Sequence, residues 1–114
     1  MKKEYFAVLW EDWLVETSGK NLKRIKEMMN YILKSNVYPS SLKDYVICEY
    51  VWDDKKYEVD YYLDRQLYVL DKEKDELVDY DQYDEHGIKF RIIAKDFLYY
   101  KDSKKWRIKT LKNY

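Results

Sequence analysis

The sequence predicts an α+β fold in which one amphipathic helix packs on a curved, mainly antiparallel sheet of about five or six strands. One early segment carries apolar residues at helical spacing, and almost every later apolar segment has the composition or alternation of a strand. Short polar turns separate those strands, whereas parallel strands would need crossover helices between them. The 114 residues contain no linker or internal repeat, so we expect a single domain over residues 1–114.

The first element is a strand over residues 5–15, or two short strands folded at Glu11 and Asp12. This segment is rich in the aromatic and β-branched residues that favour strands. Residues 17–19 are small or polar and break the strand. We expect the four tryptophans in the core because all lie in or beside predicted strands: Trp10, Trp13, Trp52 and Trp106.

The helix comes directly after this break, and Ser18 or Asn21 can accept a hydrogen bond from its free backbone N–H groups. The helix should end near residues 34–36, since Asn36 tolerates the left-handed conformation of a C-cap. Its apolar residues recur every 3.6 positions, which predicts one buried stripe. The stripe comprises Leu22, Ile25, Met28, Met29 and Ile32.

Strand patterns dominate after the helix. Residues 44–52 form a strand, residues 53–56 a polar turn, and residues 57–64 alternate between apolar and polar positions. Two strands joined by a short polar turn predict a β-hairpin. Residues 66–70 continue as a third strand or as an extension of the second that bends at Asp64 and Arg65.

Residues 71–85, the acidic segment, are predicted to be mostly loop, with a short strand at residues 77–80. A turn comes next at His86 and Gly87. Residues 88–95 then alternate, which places Ile88, Phe90, Ile92 and Ala94 on one face of a strand. Residues 97–100 and 106–111 flank a polar turn and predict a closing hairpin.

Charge is distributed unevenly along the chain although 22 basic residues balance 22 acidic ones. The acidic segment has eight carboxylates and two lysines, so its net charge is −6. Residues 86–114, the basic segment, have nine basic and two acidic residues, so their net charge is +7. Such a chain can present one acidic and one basic surface.

Cellular context and chemistry are constrained by what the sequence lacks. Cys48 is the single cysteine, so no internal disulfide forms, and no apolar run approaches the length of a membrane span. We therefore expect a soluble, cytoplasmic protein with no membrane partner. His86 is the only histidine, and no nucleophile and base stand in a catalytic pattern. We expect no enzymatic activity and no cofactor.

The acidic segment has three interpretations: a solvated loop, a metal site or a binding surface. Asp79, Asp81, Asp84 and Glu85 offer the oxygen ligands that calcium prefers, but their spacing does not match an EF-hand loop. Carboxylates beside tyrosines can instead imitate a phosphate backbone and fill a basic groove. The predicted partner-binding residues are Asp60, Tyr62, Asp75, Glu76, Asp79, Tyr80, Asp81, Tyr83, Asp84 and Glu85.

The basic segment offers an alternative, because basic residues interleaved with aromatic ones can hold single-stranded nucleic acid. Lysines on an edge strand also serve simply to prevent aggregation, and the net charge of zero weakens a nucleic-acid role. The residues of this alternative are Lys89, Arg91, Lys101, Lys104, Lys105 and Arg107.

These patterns favour a non-enzymatic, protein-binding inhibitor. We expect it to block a nucleic-acid-handling protein by filling its basic groove, as a phage or mobile-element anti-defence protein of the anti-CRISPR kind would. An immunity protein that neutralises a basic nuclease would have the same sequence features. A homodimer that joins acidic to basic faces also stays open.

Overall fold

The computed structural model describes residues 1–9, 13–34, 45–100 and 105–110, of which residues 33–34, 96–100 and 105–110 are described by their backbone alone. The elements are β1 Lys2–Leu9, β2 Leu14–Gly19, α1 Leu22–Lys34, β3 Tyr45–Trp52, β4 Tyr57–Tyr61, β5 Leu67–Asp71, β6 Glu76–Leu77, a 3₁₀ turn Tyr80–Gln82, β7 Lys89–Tyr100 and β8 Lys105–Thr110. None of the helices in this part of the chain is long and apolar enough to cross a membrane.

The strands form two antiparallel sheets. The central sheet has five strands in the order β2-β1-β3-β7-β8, and the small sheet has three in the order β4-β5-β6. The α+β class is confirmed, but the single curved sheet of five or six strands is wrong. The predicted hairpin of β3 with β4 is also wrong, because β3 pairs with β1 and β7 while β4 pairs with β5. The turn that begins at Asp53 carries the chain from one sheet to the other.

The central sheet is covered on both faces. Along β1, Tyr5 and Ala7 pack toward the helix, while Phe6 and Val8 pack toward the small sheet. Alternate residues of a strand point to opposite faces, so two covered faces require a nearly continuous apolar run. The protein therefore has three layers, with the helix on one side of the central sheet and the small sheet on the other.

Helix α1 begins where the sequence predicts. Of the two predicted caps, Asn21 acts, because its Oδ1 accepts a hydrogen bond from the backbone N of Arg24 at 3.3 Å. Ile25 and Met29 are buried against the central sheet. Met28 is 48% exposed, so its predicted place in the buried stripe is wrong. It lies about 100° around the helix from Met29 and therefore faces away from the sheet.

Strand β7 contains a β-bulge that the alternation of the sequence does not reveal. Cys48 pairs with Ile92 and Ile47 with Ala94, which leaves Ile93 as the extra residue. Ile93 and Ala94 both pack on the helix side, so the prediction that Ala94 shares a face with Ile92 is wrong. The predicted closing hairpin is confirmed as the antiparallel pair of β7 and β8.

Backbone contacts join the edges of the two sheets at one corner. Leu14 of β2 bridges to Gln66, and the backbone N of Val15 donates to the carbonyl of Arg65 at 2.9 Å. Glu16 reinforces the contact, because its Oε2 lies 3.2 Å from Arg65 Nη1 and 3.3 Å from the hydroxyl of Tyr45. The predicted two-strand form of the first element is confirmed by the pairing of β1 with β2, while Glu11 and Asp12 lie outside the described residues. The predicted break at residues 17–19 is wrong, because β2 continues to Gly19.

Burial was predicted for Cys48 and for the four tryptophans, and the structure confirms it for some of these residues only. Cys48 is buried, as expected for a cysteine that acts as a small apolar residue, and burial raises the pKa of its thiol. Trp52 is buried but Trp13 is only partly so. Trp10 lies outside the described residues and Trp106 is described by its backbone alone.

Candidate functional site

The acidic segment has a defined backbone. It runs from the end of β5 through a tight turn into β6 and then into the 3₁₀ turn. Asp71 is buried, and its Oδ1 accepts hydrogen bonds from the backbone N of Glu73 at 3.0 Å and of Lys74 at 3.2 Å. The turn ends at Asp75, whose φ of 53° lies in the left-handed region that aspartate tolerates. The segment was predicted to be mostly loop with a short strand at residues 77–80; the strand is instead Glu76–Leu77, which forms a hairpin with β5 that one of the segment's own carboxylates stabilises.

Two residues anchor the second half of the acidic segment. Val78 is buried, and its backbone N donates to the carbonyl of Val69 at 2.8 Å. Tyr83 is partly buried, and its ring lies 5.9 Å from that of Tyr50 in an edge arrangement. The acidic side chains between and after these anchors consequently project from a fixed backbone.

Seven of the eight carboxylates in the acidic segment are exposed, and Asp71 is the exception. None of them forms an ion pair with a lysine or arginine in the described part of the chain. Elsewhere the acids Glu16 and Glu49 do form such pairs. The segment therefore presents negative charge that the described cations do not neutralise.

The tyrosines of this region differ in exposure. Tyr80 is 67% exposed, while its ring centroid lies 5.4 Å from that of Tyr83 and 5.5 Å from that of Phe90, in T-shaped arrangements. Tyr62 is 47% exposed and stacks on Tyr68 with ring centroids 4.3 Å apart. Each exposed ring is thus held by a neighbouring ring, which limits the entropy it would lose on binding.

His86 and Gly87 form the predicted turn, in which Gly87 has a φ of 70°. The Nδ1 atom of His86 lies 2.9 Å from the hydroxyl of Tyr57 on β4. This hydrogen bond ties the end of the acidic segment to the far strand of the small sheet. The imidazole of His86 is therefore hydrogen-bonded within the fold.

The predicted partner-binding residues all lie around the small sheet. Asp60 is directly across from Tyr68 on the sheet face that points away from the core, and Tyr62 comes directly after β4. Leu77 of β6 pairs with Leu70 on that same outward face. Because neighbouring strands lie about 5 Å apart, β4 and β6 are about 10 Å apart. We call the predicted partner-binding set the acidic surface: Asp60, Tyr62, Asp75, Glu76, Asp79, Tyr80, Asp81, Tyr83, Asp84 and Glu85. All of these residues are exposed except Tyr83, which is partly buried against the core.

An apolar cleft of about 520 Å³ lies beside the acidic surface. Its buried wall includes Leu67 and Val69 of the small sheet, and Phe90 of the central sheet also lines it. Leu77 and Tyr80 contribute its most exposed part. Three predicted partner-binding residues line the cleft: Asp79, Tyr80 and Tyr83.

The strand pairing explains why a cleft opens there. One edge of β5 meets β2 at Gln66 and then meets β6 at Leu70. β6 has only two residues, so it leaves the middle of β5 without a full neighbouring strand. Sequence reasoning missed the cleft, although an apolar Leu77 within an acidic run was a signal of it.

Beneath the cleft, the buried hydroxyl of Tyr50 lies near Tyr83 and Trp13. It makes no hydrogen bond of acceptable geometry with the residues that the structure describes. Burial, with the neighbouring Tyr83, raises the pKa of Tyr50, so this hydroxyl stays protonated and neutral. The cleft itself is lined by apolar and aromatic side chains, and Asp79 is the one acid among its described lining residues.

The described residues do not assemble the metal site, and only Lys89 and Arg91 of the basic set have described side chains. Asp79, Asp81, Asp84 and Glu85 do not form a group that could hold a metal ion, and neither do other histidine, cysteine or acidic side chains of the described chain. In the basic set, Lys89 is exposed and Arg91 is paired with Glu49. The remaining members are outside the described residues or known by backbone alone: Lys101, Lys104, Lys105 and Arg107.

Comparison with protein-family models, curated proteins and solved structures found no match to this chain. Its function must therefore be argued from the acidic surface and the cleft themselves.

Proposed function

We propose that this protein is a non-enzymatic inhibitor that binds a nucleic-acid-handling protein through the acidic surface. Its carboxylates would take the place of phosphates in the partner's basic groove. An anti-defence protein of a phage or mobile element, of the anti-CRISPR kind, is the specific form of this proposal. The observation that carries it is that six exposed carboxylates of the acidic segment that belong to the acidic surface have no described ion-pair partner: Asp75, Glu76, Asp79, Asp81, Asp84 and Glu85.

Order matters to this proposal because a flexible acidic loop loses conformational entropy when it binds. The acidic segment has a defined shape of its own, since Asp71 closes the hairpin and Val78 and Tyr83 anchor the second half of the segment, and a partner that fits this shape would not have to fold it. Exposed acids also attract a basic partner over a distance and so raise the rate of association. Tyr62 and Tyr80 add rigid contact area beside them.

Capture from a lysate of the source cells, with and without competing oligonucleotide, tests the proposal. The immobilised protein should retain a nucleic-acid-binding protein that oligonucleotide displaces, because both ligands use the same groove. Asp81→Lys combined with Asp84→Lys should abolish retention. Glu27→Lys combined with Asp54→Lys is the matched control, since both residues are exposed acids outside the acidic surface and the net charge changes equally. Equal loss of retention in both pairs would contradict a localised surface.

Direct nucleic-acid binding by the basic segment remains the alternative from the sequence. One residue of that segment, Arg91, donates a hydrogen bond from its Nε to Oε1 of Glu49 at 3.1 Å. Titration of the protein with DNA and RNA oligonucleotides over a salt series separates the two functions. Under our proposal binding is absent at low salt; tight binding with a steep salt dependence would instead support the alternative.

A further inference from the structure

We infer that the apolar cleft receives an aromatic side chain of the partner that is flanked by lysine or arginine. This inference rests on the proposed function and specifies the chemistry of the segment that would be bound. It adds an apolar anchor to a surface that otherwise offers charge.

The cleft has the size and lining of an anchor pocket. Its volume of about 520 Å³ exceeds that of any single side chain, and Trp13, Tyr83 and Phe90 line it with aromatic rings. Trp13 and Phe90 already contact each other edge to face at 5.6 Å. Rings in this arrangement present both faces and edges to a further ring, which favours an aromatic occupant over an aliphatic one.

The charge of the rim specifies which residues flank that ring. Asp79 lines the cleft itself, and Asp81 and Asp84 line a smaller adjoining cavity of about 170 Å³. Tyr80, Tyr83 and Phe90 line both cavities, so the three carboxylates border two cavities that share one group of rings. All three are exposed and lack an ion pair with a described residue. An incoming segment with positive charge beside its ring matches this arrangement; one with negative charge is repelled.

A groove that binds single-stranded nucleic acid carries both positive charge and aromatic side chains. Its lysines and arginines bind phosphates, and its aromatic side chains stack on bases. The rim carboxylates would replace the phosphates, and the cleft would take up a ring that otherwise stacks on a base. A single site on this protein would then occupy both parts of such a groove.

Short acetylated peptides test the inference with the intact protein. The probe has one central phenylalanine with Lys-Arg on each side, carries a fluorescent dye, and is monitored by anisotropy at low salt. Replacing the central phenylalanine with serine should weaken binding about tenfold or more, because the ring loses its apolar contacts. Replacing the lysines and arginines with glutamate should abolish binding, because the rim is negative.

Matched variants locate the site. Leu77→Asp alters the rim of the cleft, and Met28→Asp makes the same kind of change on the helix; the two residues are 55% and 48% exposed. Only Leu77→Asp should lower the affinity for the phenylalanine peptide, by about tenfold or more. Tyr80→Ala and Tyr31→Ala form a second pair, 67% and 72% exposed, with the same expectation. A melting curve of each variant shows whether it is folded.

Three outcomes would overturn the inference. Equal binding of the phenylalanine and serine peptides would show that charge acts without the cleft, and the proposed function would survive. Absence of binding to every peptide at low salt would also reject the cleft, while the capture experiment would still decide the proposed function. Self-association of the protein that Leu77→Asp abolishes would show that a second copy occupies the cleft.

Discussion

Carboxylates lie in two contrasting environments in this protein. Glu49 is buried in the central sheet, where its Oε1 accepts a hydrogen bond from Arg91 Nε at 3.1 Å and its Oε2 lies 3.9 Å from Lys3 Nζ. Glu16 binds Arg65 at the corner between the sheets. In the acidic segment, by contrast, the exposed carboxylates have no ion-pair partner among the described lysines and arginines.

The contrast separates charges that hold the fold from exposed charges that have no described ion-pair partner. Glu49 cannot lose its cations without leaving a buried charge uncompensated. The acidic segment is instead ordered by Asp71, Val78 and Tyr83, so its exposed acids are not needed to fix its shape. We therefore expect substitutions in the two environments to affect stability very differently.

The largest expected effect is that of Arg91→Met. It removes the hydrogen-bonded cation from Glu49 and should lower the free energy of unfolding by about 2–3 kcal/mol, since Lys3 remains nearby. Urea denaturation measures the loss. Lys89→Met on the same strand is the control, because Lys89 is exposed and forms no ion pair with a described residue. An equal loss in both variants would show that Glu49 does not depend on its arginine.

Alkaline pH should weaken the corner between the sheets. Burial and the adjacent Glu16 raise the pKa of Tyr45 to about 12. The folded state therefore holds this proton more tightly than the unfolded chain, whose tyrosines ionise near pH 10. The stabilisation is complete below about pH 10 and is lost as the pH rises through about 12.

Urea denaturation on either side of about pH 10 tests this expectation. Tyr45→Phe should lose less stability than the wild type over that interval, because it has no hydroxyl to ionise at this position. If the two proteins lose equal stability, Tyr45 does not contribute to the alkaline effect.

A smaller effect is expected where the acidic segment is tied to β4. Tyr57→Phe removes the hydroxyl that lies 2.9 Å from His86 and should lower the free energy of unfolding by about 1 kcal/mol. His86→Ala should remove the same interaction, so the double variant should lose less than the sum of the two. Urea denaturation provides all three values. Tyr61→Phe on the same strand is the control; strictly additive losses would argue against the bond.

The smallest effect is expected from neutralising the exposed acids. Asp81→Asn and Asp84→Asn should each change the free energy of unfolding by less than about 0.5 kcal/mol. Any increase in the free energy of unfolding should appear at low salt and vanish at high salt, because it reflects relief of repulsion between exposed charges. Urea denaturation at two salt concentrations measures it. Glu49→Gln is the same chemical change at an acid that forms ion pairs, and it should lower the free energy of unfolding considerably more. Equal effects of the three substitutions would remove the distinction between the two environments.

Some features of the candidate site could be predicted because they depend on neighbours in sequence. The concentration of acids in residues 71–85, the turn at Gly87 and the presence of tyrosines beside the acids are all local. The hairpin after Asp71 was missed because Asp75, and not a glycine, takes the left-handed position of its turn, while the Asp71 side chain accepts two backbone hydrogen bonds. The cleft was missed because its walls come from strands far apart in the chain.

The sequence by itself determined the helix, the positions of most strands and the charge layout, since periodicity and composition act over a few residues. Only the tertiary structure decided that the strands form two sheets, because the turn at Asp53 suits a hairpin and a crossing between sheets equally well. It also decided that Glu49 is paired while the exposed acids of the acidic segment find no described partner. Strand partners and ion pairs depend on contacts between distant parts of the chain, which local patterns do not encode.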